Sequence, residues 1–195
     1  MSNHYHITPY AFFPSKNQLR TAFTPPASNY CELLGFDLEA DRTTVNYCEC
    51  EQCPLMPTVK ESICCFDLLK ASTKWAKNWT NFIGETDECF SNHKKIIKVI
   101  TDIEQLDNFI QFDKLRLKEK ARYTRSIYID EYDVAEENDK YRFACYRMIT
   151  TMVHDSLGIG KRVQLPACIV TSIRNIYPTQ TETYKGYEEY FGADN

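Results

Sequence analysis

Apolar residues recur at helical spacing through most of the chain. The clearest run lies between Asp139 and Leu157, where Tyr141, Cys145, Met148, Ile149, Met152 and Val153 fall at i, i+4, i+7, i+8, i+11 and i+12, one stripe along a helix. Gly158-Ile159-Gly160 ends it. Pro166 suits the first position of a final helix, which carries Ile169, Val170, Ile173 and Ile176 and stops before Pro178. Further upstream, Thr58-Val59-Lys60-Glu61 has the capping-box pattern. It predicts a helix from Val59 with Cys64 and Cys65 in its second turn, running past Leu68 and Leu69 towards Trp75 and Trp79. A lysine-rich stretch with Ile96, Ile97 and Ile100 predicts another helix. Thr101 or Asp102 caps the next, with Ile103, Leu106, Phe109 and Ile110 on its inner face. The pattern predicts a mainly α domain.

Periodicity fails in three places. Residues 1–45 hold Pro9, Pro14, Pro25 and Pro26 among Tyr10, Phe12, Phe13 and Phe23, which reads as a flexible arm. Between 113 and 140, a basic block (Lys114, Arg116, Lys118, Lys120, Arg122) precedes an acidic one (Asp130, Glu131, Asp133, Glu136, Glu137), a pattern of solvated faces or loops. Tyr184-Lys185-Gly186-Tyr187 reads as an extended strap before a short tail, 189–195. The expected organisation is an arm, a domain over 46–188 and the tail.

The 195 residues, 43% hydrophobic and 26% charged, are ordinary for one globular domain. The formal net charge of -4 provides no global field for nucleic acid. No apolar run approaches the ~20 residues of a membrane span, and Met1-Ser2-Asn3-His4-Tyr5-His6 lacks a secretory leader's basic and apolar regions. The expected location is the cytoplasm, or the nucleus. With six glycines there is no P-loop or dinucleotide-binding motif, and none of the four histidines (His4, His6, His93, His154) sits in a recognisable catalytic motif. His154 reads as a helix-end residue favoured by the dipole.

Nine cysteines change this picture. Five of them, Cys48, Cys50, Cys53, Cys64 and Cys65, fall within eighteen positions. Thiols in a reducing compartment point to metal or redox chemistry rather than a disulfide framework. Cys50-Glu51-Gln52-Cys53 alone would serve a thiol–disulfide enzyme equally well. The wider set favours zinc: two tetrahedral ions need eight ligand positions, and seven thiols supply them if one sulfur bridges. Successive helix positions diverge by about a quarter turn, so Cys64 and Cys65 would serve different ions. Cys31 lies in the arm, and Cys145 on the helical stripe reads as a small core residue.

The stretch Cys48 to Cys65, Cys-x-Cys-x-x-Cys-x-x-Met-Pro-Thr-x-x-Glu-x-x-Cys-Cys, resembles the opening signature of the P2X purinoceptor 7 intracellular (ballast) domain family. Ala144-Cys145-Tyr146-Arg147, Leu165-Pro166-Ala167-Cys168, Ile173-Arg174 through Tyr177-Pro178 and Tyr184-Lys185-Gly186-Tyr187 resemble its later segments, so the likeness covers about 46–188. The resemblance implies a two-zinc cluster on Cys48, Cys50, Cys53, Cys64, Cys65, Cys89 and Cys168. It also implies a guanine nucleotide (GDP or GTP), with Arg142, Tyr146 and Leu165 as the best-matched positions. Phe143 stands where the family has histidine, and Ile169-Val170 where a basic residue is expected, a loss that weakens anion binding. The expected function is a zinc-stabilised module that binds other proteins, with self-association through its long helices as a further expectation. A chain without membrane spans cannot be a channel by itself.

Overall fold

The structure, a computed structural model, describes residues 30–31, 34–38, 42, 44–124, 132, 137–155 and 163–178. The arm's aromatic residues, Gly158–Gly160, most of the acidic block and the strap at 184–187 lie outside the described residues. The fold is mainly α, with helices α1 (Cys65–Lys70), α2 (Lys74–Ile83), α3 (Lys94–Thr101), α4 (Ile103–Thr124), α5 (Glu137–His154) and α6 (Ala167–Ile176). Single 3-10 turns occur at Val45–Tyr47 and Phe90–Asn92. A two-residue antiparallel pair, β1 (Tyr30–Cys31) and β2 (Phe36–Asp37), sets Tyr30 against Asp37 and Cys31 against Phe36. Gly35 closes this hairpin at φ 75°, and a Cβ there would come within 2.6 Å of Thr73 Cγ2, so both conformation and space require glycine. Leu34 and Leu38 are buried in the core. The packed body therefore takes in residues that fall within the span 1–45.

The helix boundaries differ instructively from expectation. Thr58 and Glu61 make half of the capping box, Thr58 Oγ1 accepting from the Glu61 amide at 3.3 Å, while the Glu61 carboxylate accepts from the Thr58 hydroxyl at 2.8 Å. They hold a single turn, not a helix. The helix begins at Cys65 and ends at Lys70; Thr73 then caps a second one, its Oγ1 accepting from the Ala76 amide. Asp102 caps α4 as expected, Oδ1 accepting from Gln105 N–H at 3.0 Å. Leu106 and Ile110 are buried, but Ile103, the first helical residue, is 51% exposed. Pro166 stands at the N-cap of α6, one place before the predicted position.

Helix α5 is the centre, touching α2, α3, α4 and α6. Nine consecutive residues, Tyr141 to Ile149, are buried, so the helix is covered on all sides rather than along one stripe. Arg142 and Arg147 go in with them. Arg147 meets Asp113 of α4, Nε 2.8 Å from Oδ2 and Nη2 donating to Oδ1 at 3.0 Å. Arg116 and the Tyr132 hydroxyl also donate to this carboxylate, which is 0% exposed. The charge-rich stretch thus contributes a helix and a buried ionic hub, where the sequence suggested only solvated faces or loops. Three side chains donating to one carboxylate, two of them cationic, are what make so buried a charge tolerable.

The seam between α2 and α5 buries His154. Its ring meets Trp75 edge-on at 4.8 Å and Trp79 at 6.1 Å, and Asn78 Nδ2 lies 3.1 Å from Nδ1. Burial pushes this ring down to about 4. The expected helix-dipole stabilisation of a charged histidine is overridden by desolvation.

Two outcomes follow from these seams. Asp113→Ala should cost about 3–5 kcal/mol in a urea melt, because Arg147 stays buried without its counter-charge; a cost under about 1 kcal/mol would contradict the hub. For His154, the folded value lies below the unfolded value of 6.5, so the unfolded chain binds more protons between them. Its contribution is complete above about 6.5 and is lost as pH falls towards 4, up to about 3 kcal/mol. Denaturant melts across that range should show a steeper acid loss for the wild type than for His154→Gln.

Candidate metal centre

Cys48, Cys50 and Cys53 lie on a loop entered from the turn at Val45–Tyr47. The Tyr47 hydroxyl donates to the Pro54 carbonyl at 2.6 Å and closes the loop at its base. Inside it, the Cys53 amide donates to Cys48 Sγ at 3.2 Å. Glu51 adopts φ 59°, the left-handed conformation that turns Cys50 back towards Cys53. The sulfurs of Cys48 and Cys50 are then 3.6 Å apart, and those of Cys50 and Cys53 3.7 Å.

Cys64 and Cys65 flank a helix boundary. The Ile63 carbonyl accepts the Ala167 amide at 2.8 Å, so a contact with α6 takes the acceptor that a continuing helix would have used. Cys64 is extended, with φ −80° and ψ 150°, and its amide donates to Asp67 Oδ2 at 2.8 Å. The same Ile63–Ala167 contact delivers Cys168, in the first turn of α6, to the cluster. Cys89 arrives from the turn at Phe90–Asn92, which packs on α3 and α6. Its sulfur is 4.0 Å from that of Cys65 and 3.1 Å from the buried Ser91 hydroxyl.

Seven sulfurs thus form two groups that could hold a metal: Cys48, Cys50, Cys53 and Cys64, and Cys50, Cys65, Cys89 and Cys168. Within each group the ligand atoms all lie within 4.8 Å of one another. A tetrahedron of thiolates at a Zn–S distance of about 2.3 Å has edges of about 3.8 Å, against the measured 3.6, 3.7 and 4.0 Å. Cys50 belongs to both groups; Cys64 and Cys65 fall into different ones.

Without a cation the sulfurs compete for protons. Contacts with Cys50, Cys53, Cys65 and Cys89, with burial adding, push Cys168 well above the ordinary thiol range. Cys53 and Cys65 draw Cys64 down, and Cys168 and Cys65 draw Cys89 down to about 2. Neighbouring thiolates cannot all ionise together unless positive charge stands among them, and a divalent cation supplies it.

A buried ion pair buttresses the cluster. Arg42 donates from Nη1 to Asp67 Oδ2 at 2.7 Å, from Nη2 to Oδ1 at 3.1 Å and from Nη1 to the Ser62 carbonyl at 2.6 Å. Asp67 therefore fixes the Cys64 backbone while Arg42 fixes Asp67. Sequence reasoning missed Arg42 and Ser91. Asp67 at the third helical position after Cys64 carried a capping signal, but nothing in the local pattern around residue 42 marks its partner.

The remaining candidates are placed as follows. Cys145 is fully buried, 4.0 Å from the Val99 carbonyl, and desolvation alone raises it to about 12; it is a core residue outside both groups. Arg142, Tyr146 and Leu165 are all buried. Arg142 pairs with Asp139 at 3.4 Å in its own helix, and the Tyr146 hydroxyl accepts from Arg174 Nε at 3.3 Å. A groove of about 440 Å³ runs between Pro54–Pro57 and α6, where Val170, Thr171, Arg174 and Asn175 line it. None of the three nucleotide candidates lines that groove.

The left-handed residue gives a test of the loop. Glu51→Val should be less stable than Glu51→Gly by about 1–3 kcal/mol in denaturant melts, because a β-branched residue is strained at this φ and glycine is not; equal stabilities would show that the turn is not held as described.

Among the described residues, no helix is long and apolar enough to cross a membrane. No family model, no curated protein and no solved structure matches this chain.

Proposed function

We propose that this chain is a zinc-binding intracellular interaction module organised by a dinuclear zinc–thiolate centre. Cys48, Cys50, Cys53 and Cys64 hold one ion, and Cys50, Cys65, Cys89 and Cys168 the other, with Cys50 as the bridge. One observation carries the reading: seven sulfurs fall into two overlapping sets of four with a single common member. Eight ligand positions from seven atoms is what two closed tetrahedra require. Both sets are complete without water or substrate, which suits a metal that holds a fold together rather than one that performs catalysis.

The resemblance to the P2X purinoceptor 7 ballast domain supports the same assignment and extends it to a guanine nucleotide. Arg142, Tyr146 and Leu165 would contribute to that site, and the nucleotide would have to compete with Asp139 for the Arg142 guanidinium. The apolar groove beside Pro54–Pro57 supports an interaction role. Under the alternative, a thiol–disulfide enzyme acting through Cys50 and Cys53, the two thiols would titrate freely in untreated protein.

Native mass spectrometry of protein purified without added metal tests the reading. Two zinc ions per chain are expected. Cys50→Ala should lose both; Cys48→Ala and Cys64→Ala should each retain one, as should Cys89→Ala and Cys168→Ala. Chelation should unfold the core, since structural zinc contributes on the order of 10 kcal/mol per site. Folded, metal-free protein with a melt unchanged by chelator would overturn it.

A further inference from the structure

The two cysteine groups are not equally sheltered. Cys64, Cys65, Cys89 and Cys168 are 0 to 5% exposed, and the last three come from separate packed elements. Cys48 and Cys50 are only half-buried, on a single loop. The group that contains Cys48 and Cys53 therefore meets solvent first.

We infer that the loop site is an oxidant-sensitive site at which Cys48 is the first thiolate oxidised, closing a disulfide with Cys53 and releasing one ion while the inner site persists. This inference rests on the dinuclear reading above. Cys48 suits the first step because it is reachable and belongs to one group only. Its sulfur also accepts the Cys53 amide at 3.2 Å, which ties the two ends of the loop together. Cys50 is comparably reachable, but its sulfur is shared by both groups. A thiolate that gives its lone pairs to two cations is the poorer nucleophile.

The chemistry balances with a peroxide as oxidant. The Cys48 thiolate attacks one peroxide oxygen, the O–O bond breaks, and the departing oxygen takes a proton to leave as water or an alcohol. Cys48 is then a sulfenic acid. The Cys53 thiolate attacks that sulfur, the S–S bond forms and the S–O bond breaks, and the hydroxide leaves as water after taking a second proton. The peroxide gains two electrons, one from each sulfur, and the zinc departs without redox change.

Cys53 is the resolving partner for two reasons. Its sulfur shares the Cys48 group, with all ligand atoms within 4.8 Å, and its amide already touches Cys48. Closing the much shorter ring from Cys48 to Cys50 forces the disulfide dihedral away from its preferred value near 90°. Consuming Cys48 and Cys53 leaves Cys50 to complete the inner set with Cys65, Cys89 and Cys168.

The experiment uses the full chain carrying Cys31→Ser, treated with one equivalent of hydrogen peroxide and followed by native mass spectrometry and disulfide mapping. Untreated protein must first show two zinc ions; if it shows none, the dinuclear reading has failed and the inference falls with it. Given two ions, the expected product has one ion, is lighter by two hydrogen atoms in its protein mass, and yields a Cys48–Cys53 cross-linked peptide. Simultaneous loss of both ions, a first disulfide containing Cys50, or oxidation of Cys65, Cys89 or Cys168 ahead of Cys48 would overturn the inference while leaving the dinuclear reading intact. Cys48→Ala, expected to carry the inner ion alone, should keep it at the same dose; release at the wild-type rate would count equally against the inference.

Discussion

Packing seven thiol sulfurs at contact distance is the constraint on which the rest of this structure depends. A thiol is a weak hydrogen-bond donor and a weak acceptor, and several in contact satisfy one another poorly. The elements that deliver them are nonetheless held by strong, specific bonds: Tyr47 to Pro54, Ile63 to Ala167, and Asp67 to both Cys64 and Arg42. Free energy is spent on placing sulfurs that give little back by themselves. A cation at the centre of each group would turn that arrangement from costly to favourable, and this asymmetry is the physical argument for a metal.

The cluster also explains where helices start and stop. Local signals favour continuous helix from Val59, yet the chain is pulled open at Ile63 and Cys64. There the backbone bonds to α6, and the adjacent cysteines turn to different groups. Tertiary contact overrides propensity at this boundary. The bonds that break the helix and the bonds that assemble the centre are the same.

Much of this was legible in the sequence. Helical periodicity found the regions of α3 to α6, and the cysteine count singled out the seven sulfurs that the structure brings together in two groups with Cys50 in both. The identity of the shared sulfur was not legible, because it depends on how the loop turns at Glu51 and on which side Cys168 enters. Nor was the full enclosure of α5, since its periodic residues mark one stripe and nothing in the sequence shows that the residues between them are covered as well. The burial of Arg142 and Arg147 was not legible either, because a charged side chain favours water and the acid that admits Arg147, Asp113, lies thirty-four positions away. Likewise, His154 sits at a helix end, where a dipole argument applies, but Trp75, Trp79 and Asn78 reach it from a helix that local reasoning could not place beside it.

The clamp between Arg42 and Asp67 has a consequence for where this unit can be cut. Judged by its clustered cysteines alone, the domain begins just before Cys48, and a shortened chain starting at residue 46 would keep all seven sulfurs of the two groups. It would also strip the guanidinium from a carboxylate whose side chain is 9% exposed and remove the Leu34 and Leu38 side chains from the interior. Such a fragment would keep its ligands but lose part of the scaffold that aligns Cys64, so the minimal independently folding piece is longer than the motif that announces it.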